Sequence, residues 1–242
     1  MTTKTTSVTV LLIGLFLSGA SVASAQTDLE TKIFVHVNVG GQPASQTLDA
    51  TISVPVYGQT ATAATTQSIG GKAIFDIMGG YRLRPSIGVA VGFSSFSNSA
   101  TIAGTASVPS PLFFNQFKTV DISGAGVSRS DRNVYVLFVW FRPITDKIEI
   151  ALFAGPTFTR VKQDLITNLA VPAGTQDAIP IVESQSGTAK GANVGFDGTY
   201  LFSAHYGAGI FLRYNGGSVD LPAATGVRAG GFQMGIGLRA RF

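Results

Sequence analysis

The chain has 242 residues, of which 12% are charged and 45% hydrophobic, with 29 glycines, no cysteine and a formal charge of +4. The charged share is about half the usual ~25%, the opposite of the bias that keeps a chain unfolded. The cysteine count excludes a disulfide scaffold, a cysteine-based zinc cluster, a thiol nucleophile and a lipidated N-terminal cysteine, and so mild a positive charge makes no case for nucleic acid as a partner.

Residues 1–25 have the layout of a secretory signal peptide: Lys4, the apolar run Val8–Leu17, then Ala23-Ser24-Ala25 as an A-x-A cleavage site. The run is too short for a membrane helix of about 20 residues. The expected product is one domain, residues 26–242, in which no second long apolar run offers a membrane helix.

From residue 33 onward apolar residues recur at every second position, the pattern of strands with one apolar and one polar face. Ile33, Val35, Val37 and Val39 alternate with Phe34, His36, Asn38 and Gly40. Ala73, Phe75, Ile77 and Tyr81 alternate with Lys72, Ile74, Asp76, Met78 and Arg82. Further strands are predicted over 87–94, 134–141, 148–158, 192–200 and 208–215. The segment 134–141 is apolar on both faces, so its facing stays open. The last strand is the clearest: Phe232, Met234, Ile236, Leu238, Ala240 and Phe242 alternate with Gln233, Gly235, Gly237, Arg239 and Arg241.

Eight strands result, joined alternately by tight turns (near 84–86, 143–146 and 203–205) and long connections (43–68, 98–130, 164–190 and 217–228). That alternation predicts an all-β, eight-stranded antiparallel up-and-down transmembrane barrel with short periplasmic turns and long extracellular loops. Both termini then lie on the periplasmic side. Residues 47–56 alternate well enough to continue as strand above the membrane, and a ten-stranded barrel follows if 47–67 forms a hairpin that enters it. Tyr81, Trp140, Phe202, Tyr206 and Phe242 fall near the periplasmic strand ends and Phe93, Phe158, Tyr214 and Phe232 near the opposite ends, as two interfacial girdles would.

The leader, the alternating strands and the terminal Phe242 resemble the small outer-membrane barrel family of OmpA/OmpX type, over nearly the whole of residues 26–242. The resemblance implies residence in the outer membrane, contact with its lipids, and recognition of the final strand, ending in Phe242, by the barrel-assembly machinery. The separate peptidoglycan-binding domain of full OmpA proteins is expected to be absent.

The inward register collects His36, Asn38, Lys72, Asp76, Arg82, Glu149, Asn193, Asp197, Arg213, Gln233, Arg239 and Arg241, three acids against five bases. Buried charges have to be paired or hydrated, so these residues are expected to plug the barrel and fix its register. A continuous basic ladder would instead suit a narrow solute or ion channel, but acids at mid-height argue against it. Pairing about a turn near Ala204 makes opposed residue numbers on the flanking strands sum to about 408–410, which predicts an Asp197–Arg213 ion pair, with Asp76 as the other candidate for Arg213.

No catalytic, cofactor or metal site is expected. The two histidines, His36 in the first strand and His205 in a periplasmic turn, lie at different heights, too far apart to act together. Among the long connections, 59–68 (QTATAATTQS) is a low-complexity polar stretch, and 108–117 places Leu112, Phe113, Phe114 and Phe117 outside the membrane. Those four are the candidate contact for an extracellular ligand of unknown kind, unless the loop folds over the barrel mouth and buries them.

Overall fold

Residues 32–43 and 46–242 are described in the computed structural model, so the signal-peptide reading of residues 1–25 falls outside the described residues. Ten antiparallel strands account for most of them: β1 (Ile33–Gln42), β2 (Gln46–Val56), β3 (Gln59–Ile69), β4 (Lys72–Arg84), β5 (Ile87–Pro109), β6 (Phe117–Pro143), β7 (Ile148–Ala170), β8 (Ile179–Leu201), β9 (Tyr206–Leu221) and β10 (Ala224–Arg241). Eight of them close a ring in the order β1-β4-β5-β6-β7-β8-β9-β10, with β10 returning to β1. The closing seam runs from Phe34↔Arg241 to Gly41↔Met234, and the backbones of Ile33 and Phe242 exchange two hydrogen bonds of 2.8 Å at its foot.

The strands β2 and β3 form a hairpin that stays out of this ring. Its two-residue turn, Tyr57-Gly58, has positive φ at both positions (51° and 71°), the backbone that matches the twist of a tight hairpin. β3 hydrogen-bonds to the outer half of β5, from Thr62↔Ser107 to Gln67↔Ile102, and leaves the inner half to β4. The ten-strand possibility thus resolves into eight membrane strands plus one external hairpin.

The segments 98–130 and 164–190, expected as loops, are mostly strand. β5 and β6 stay paired as far as Pro109↔Phe117, and β7 and β8 as far as Ala170↔Ile179. Thr, Val and Ile are good strand formers, but the small polar residues among them carry little periodic signal. The 27 residues of β6 would reach about 90 Å along the strand, whereas about 9–11 tilted residues cross a membrane. Most of β6 therefore stands outside it.

Facing follows the alternation. On β6, Tyr135, Leu137, Val139 and Phe141 are buried inside and Val134, Val136, Phe138 and Trp140 are exposed outside, which settles the strand that was apolar on both faces. Both aromatic girdles are exposed on the outer wall. Among the described residues no helix is long and apolar enough to span a membrane; the crossing is made by strands, whose backbone polar groups are satisfied by closure of the ring. The result is an eight-stranded transmembrane β-barrel.

Candidate functional site

The lumen is filled in layers. At the periplasmic rim, Glu149 accepts hydrogen bonds from Arg82 and Arg241, each 2.6 Å, and the Arg82 guanidinium stacks on Phe141 at 3.9 Å. This layer borders a pocket of about 280 Å3 that includes Pro143, Thr145 and Leu201. Above it, Phe34, Met78, Leu137, Val139, Phe141 and Phe153 form an apolar cluster on one wall. The other wall carries a forked pair in which Arg239 donates to both oxygens of Asp197 (2.6 and 3.1 Å) and to Asn38 (2.7 Å). His36 lies 3.7 Å from Asp197 without a hydrogen bond from its Nδ1.

The next layer centres on Asp76, which accepts from Arg213 at 2.7 Å, Asn38 at 2.8 Å and the Tyr135 hydroxyl at 2.5 Å. Arg213 also donates to Gln233, which in turn donates to Gln42. Glycine makes room for this layer: a Cβ at Gly92 would strike the Tyr135 ring. Higher still, Arg129 forms a forked pair with Asp131 (2.9 and 3.0 Å) and reaches Gln163 and the Arg228 carbonyl.

The Asp197–Arg213 pair does not form. In the β8–β9 register Asp197 faces Phe211 and Arg213 faces Gly195, so the two are only diagonal neighbours. The lumen is narrow enough for a long guanidinium to cross it, and Arg213 reaches Asp76 on β4 while Asp197 takes Arg239 from β10. Lys72 stands in β4, opposite Gln42, with its side chain outside the described set. Arg129, Asp131, Gln42, Gln163 and Tyr135 were absent from the expected network. Arg129 lay within the segment expected as loop, and the signal for it was the alternation at 129, 131 and 133 that runs on from 135. All five inward arginines, 82, 129, 213, 239 and 241, have a carboxylate partner. Such a lumen is a set of local ion pairs, not a graded path for anions.

The external extension has the opposite interior. Ile102, Val127 and Ile166 form one apolar cluster, Ala63, Ala106, Val108, Ile122 and Leu169 a second, and Val161, Leu165, Val219, Leu221 and Val227 part of a third. The hairpin is tied down at its tip, where the Tyr57 hydroxyl lies 3.0 Å from the carbonyls of both Pro172 and Thr175. At the far end of β5 and β6, Ser110 Oγ accepts from the backbone N–H groups of Leu112 and Phe113, and Ser110 N–H donates to the Gln116 carbonyl. Asn115, at φ 59°, donates its N–H to Gln59 of the hairpin; Asn tolerates that left-handed backbone better than most residues. The turn so held points its apolar side chains outward: Leu112 is 83% exposed, Phe114 74%, Phe113 60% and Phe117 50%. It does not fold over the mouth.

His205 sits exposed in the β8–β9 turn, its Nδ1 3.1 Å from the Arg241 carbonyl, while His36 is buried in the lumen. Among the described residues no group of three or more His, Asp or Glu side chains is placed to hold a metal ion.

No protein-family model matches the sequence, and no curated protein matches it. Solved structures of similar shape include Neisserial surface protein A (13% identity, TM-score 0.48, covering 87% of this chain and 97% of that one). The N-terminal β-barrel domain of Pseudomonas aeruginosa OprF (9%, 0.43, 88% and 98%) and the outer-membrane protease OmpT of Escherichia coli (11%, 0.47, 90% and 99%) are also similar. At such identities no residue role transfers.

Proposed function

We propose that this chain is a non-enzymatic surface-interaction barrel: the membrane ring anchors a tall extension, and the apolar tip at Leu112, Phe113, Phe114 and Phe117 meets an extracellular partner. The observation that carries this reading is the tip itself. Four large apolar side chains stand in water on a turn held by backbone N–H hydrogen bonds to Ser110 Oγ, the Gln116 carbonyl and Gln59 Oε1. Exposed apolar groups on a pre-formed turn lose little entropy on binding, which favours a contact role. A filled, locally neutralised lumen supports this role over a solute channel.

The test is adhesion of cells displaying the protein to a hydrocarbon phase and to one another. Cells carrying Phe113→Ser with Phe114→Ser should lose the gain in adhesion that the wild-type protein confers, at equal surface levels. Equal adhesion by both would refute a role for the tip.

A further inference from the structure

Just above the upper aromatic girdle the outer wall turns from apolar to basic, and Arg160 on β7 is the centre of the change. Its directly opposed neighbour on β6 is Arg132, Lys162 is the next residue on its own outward face, and Lys190 on β8, paired with Phe158, lies diagonal to it. All four are exposed. The other positions around Arg160 on that face are neutral: Ser130, Val134, Phe158, Ser186 and Thr188. Beyond Arg132, β5 contributes Phe93, Ser95 and Ser97, neutral as well.

Like charges directly opposite each other on an antiparallel pair repel, and among the described residues none of the four cations enters an ion pair. Two acids border the cluster: Asp164, two residues beyond Lys162, whose cation helps hold its carboxyl below the usual range, and Asp220. Asp164 accepts from the N–H and hydroxyl of Ser128 (2.9 and 2.5 Å), and Asp220 accepts from the Gly226 N–H (2.7 Å). Four cations against two bordering acids leave the cluster net positive at the level where the lipid-facing wall ends, with exposed Phe93, Val134 and Phe158 directly beneath it.

We propose that Arg132, Arg160, Lys162 and Lys190 bind the phosphate-bearing headgroup of an outer-leaflet lipid whose acyl chains lie along Phe93, Val134 and Phe158. Paired guanidinium groups suit phosphate oxygens because each can donate two parallel hydrogen bonds. Cations at a membrane surface draw anionic lipid, each adding to the affinity. The apolar strip continuous with the cluster favours a lipid over a free anion.

The test is native mass spectrometry of the folded protein in uncharged detergent. The probes are a bis-phosphorylated, acylated glucosamine disaccharide, its unphosphorylated form, and inorganic phosphate as competitor. The wild-type protein should retain the phosphorylated lipid and not the unphosphorylated one. Arg132→Gln with Arg160→Gln should weaken retention roughly thirtyfold, whereas Arg84→Gln with Arg142→Gln at the opposite rim should change it by less than about twofold. Lys162→Gln with Lys190→Gln gives an independent second variant, and the heat-dependent gel shift of folded barrels checks that each variant is assembled. Equal retention by the wild type and both cluster variants would overturn the proposal, as would retention without the lipid phosphates or displacement of the lipid by equimolar inorganic phosphate.

Discussion

Within the membrane-spanning ring, β6 buries Asp131, Asn133 and Tyr135 and exposes Val134, Val136 and Phe138; some ten residues earlier, in the external extension, it buries Ile122 and Val127 and exposes Lys118, Thr119 and Asp121. The strand is continuous, yet the polar face has moved from inside to outside. The solvent makes the difference. In hydrocarbon the outer wall is apolar at no cost, and the interior can be polar provided its groups satisfy one another. In water the hydrophobic effect drives apolar groups inward, and the same two-faced strand must bury them. Just beyond Val127, where the interior has already turned apolar, lies a bulge: Thr101 pairs with Gly126 but Ala103 pairs with Ser123. A bulge shifts one strand's side chains to the other face, so inward residues change from odd numbers at Val127 to even at Ile122.

The two interiors should fail differently. Removing Asp76 (Asp76→Ala) strands Arg213 in the lumen and should cost about 3–5 kcal/mol, whereas Asp76→Leu with Arg213→Met should cost much less; urea unfolding of the barrel in lipid vesicles checks both. In the extension, Ile122→Ala should cost about 2–5 kcal/mol, toward the lower end because the surrounding wall can close on the gap. Limited proteolysis should then show cuts above Arg129 while the ring stays protected. Overpacking the lumen by Gly92→Val drives a side chain into Tyr135 and should cost about 1–3 kcal/mol by the same unfolding assay.

The smallest stability effect belongs to the terminal residue. Deleting Phe242 removes its two backbone bonds to Ile33 and its edge-on contact with Tyr206 (6.4 Å between ring centres). The loss should be about 1–2 kcal/mol, while delivery to the outer membrane should fall much further, because the exposed aromatic end is the feature that resembles an assembly signal. Wild-type surface levels of the truncated chain at low expression would contradict that role.

Facing and strand count were legible in the sequence because a barrel wall between lipid and a polar lumen imposes strict alternation, as at Phe232 to Phe242. The extension was harder to read: in 98–130 the inward residues Ile102, Ala106 and Val108 are spaced among small Ser, Thr and Gly that look like loop. The lumen residues were legible as a set, but their partners were not. Cross-strand register names only neighbours on adjacent strands, and arginine reaches past them: Arg213 on β9 finds Asp76 on β4, with β10 and β1 in between.

Because the chain has no cysteine, single cysteines can be placed along β6 and labelled with a nitroxide in reconstituted vesicles. Accessibility to dissolved oxygen against a water-soluble nickel chelate then reports lipid or water at each position. Labels at 134, 136 and 138 should favour oxygen, those at 119, 121, 128 and 132 the chelate, and those at 127 and 137 should be shielded from both. Oxygen-dominated labels at 119 and 121, or loss of the two-residue alternation between 134 and 138, would contradict an inversion of the strand's faces at the membrane boundary.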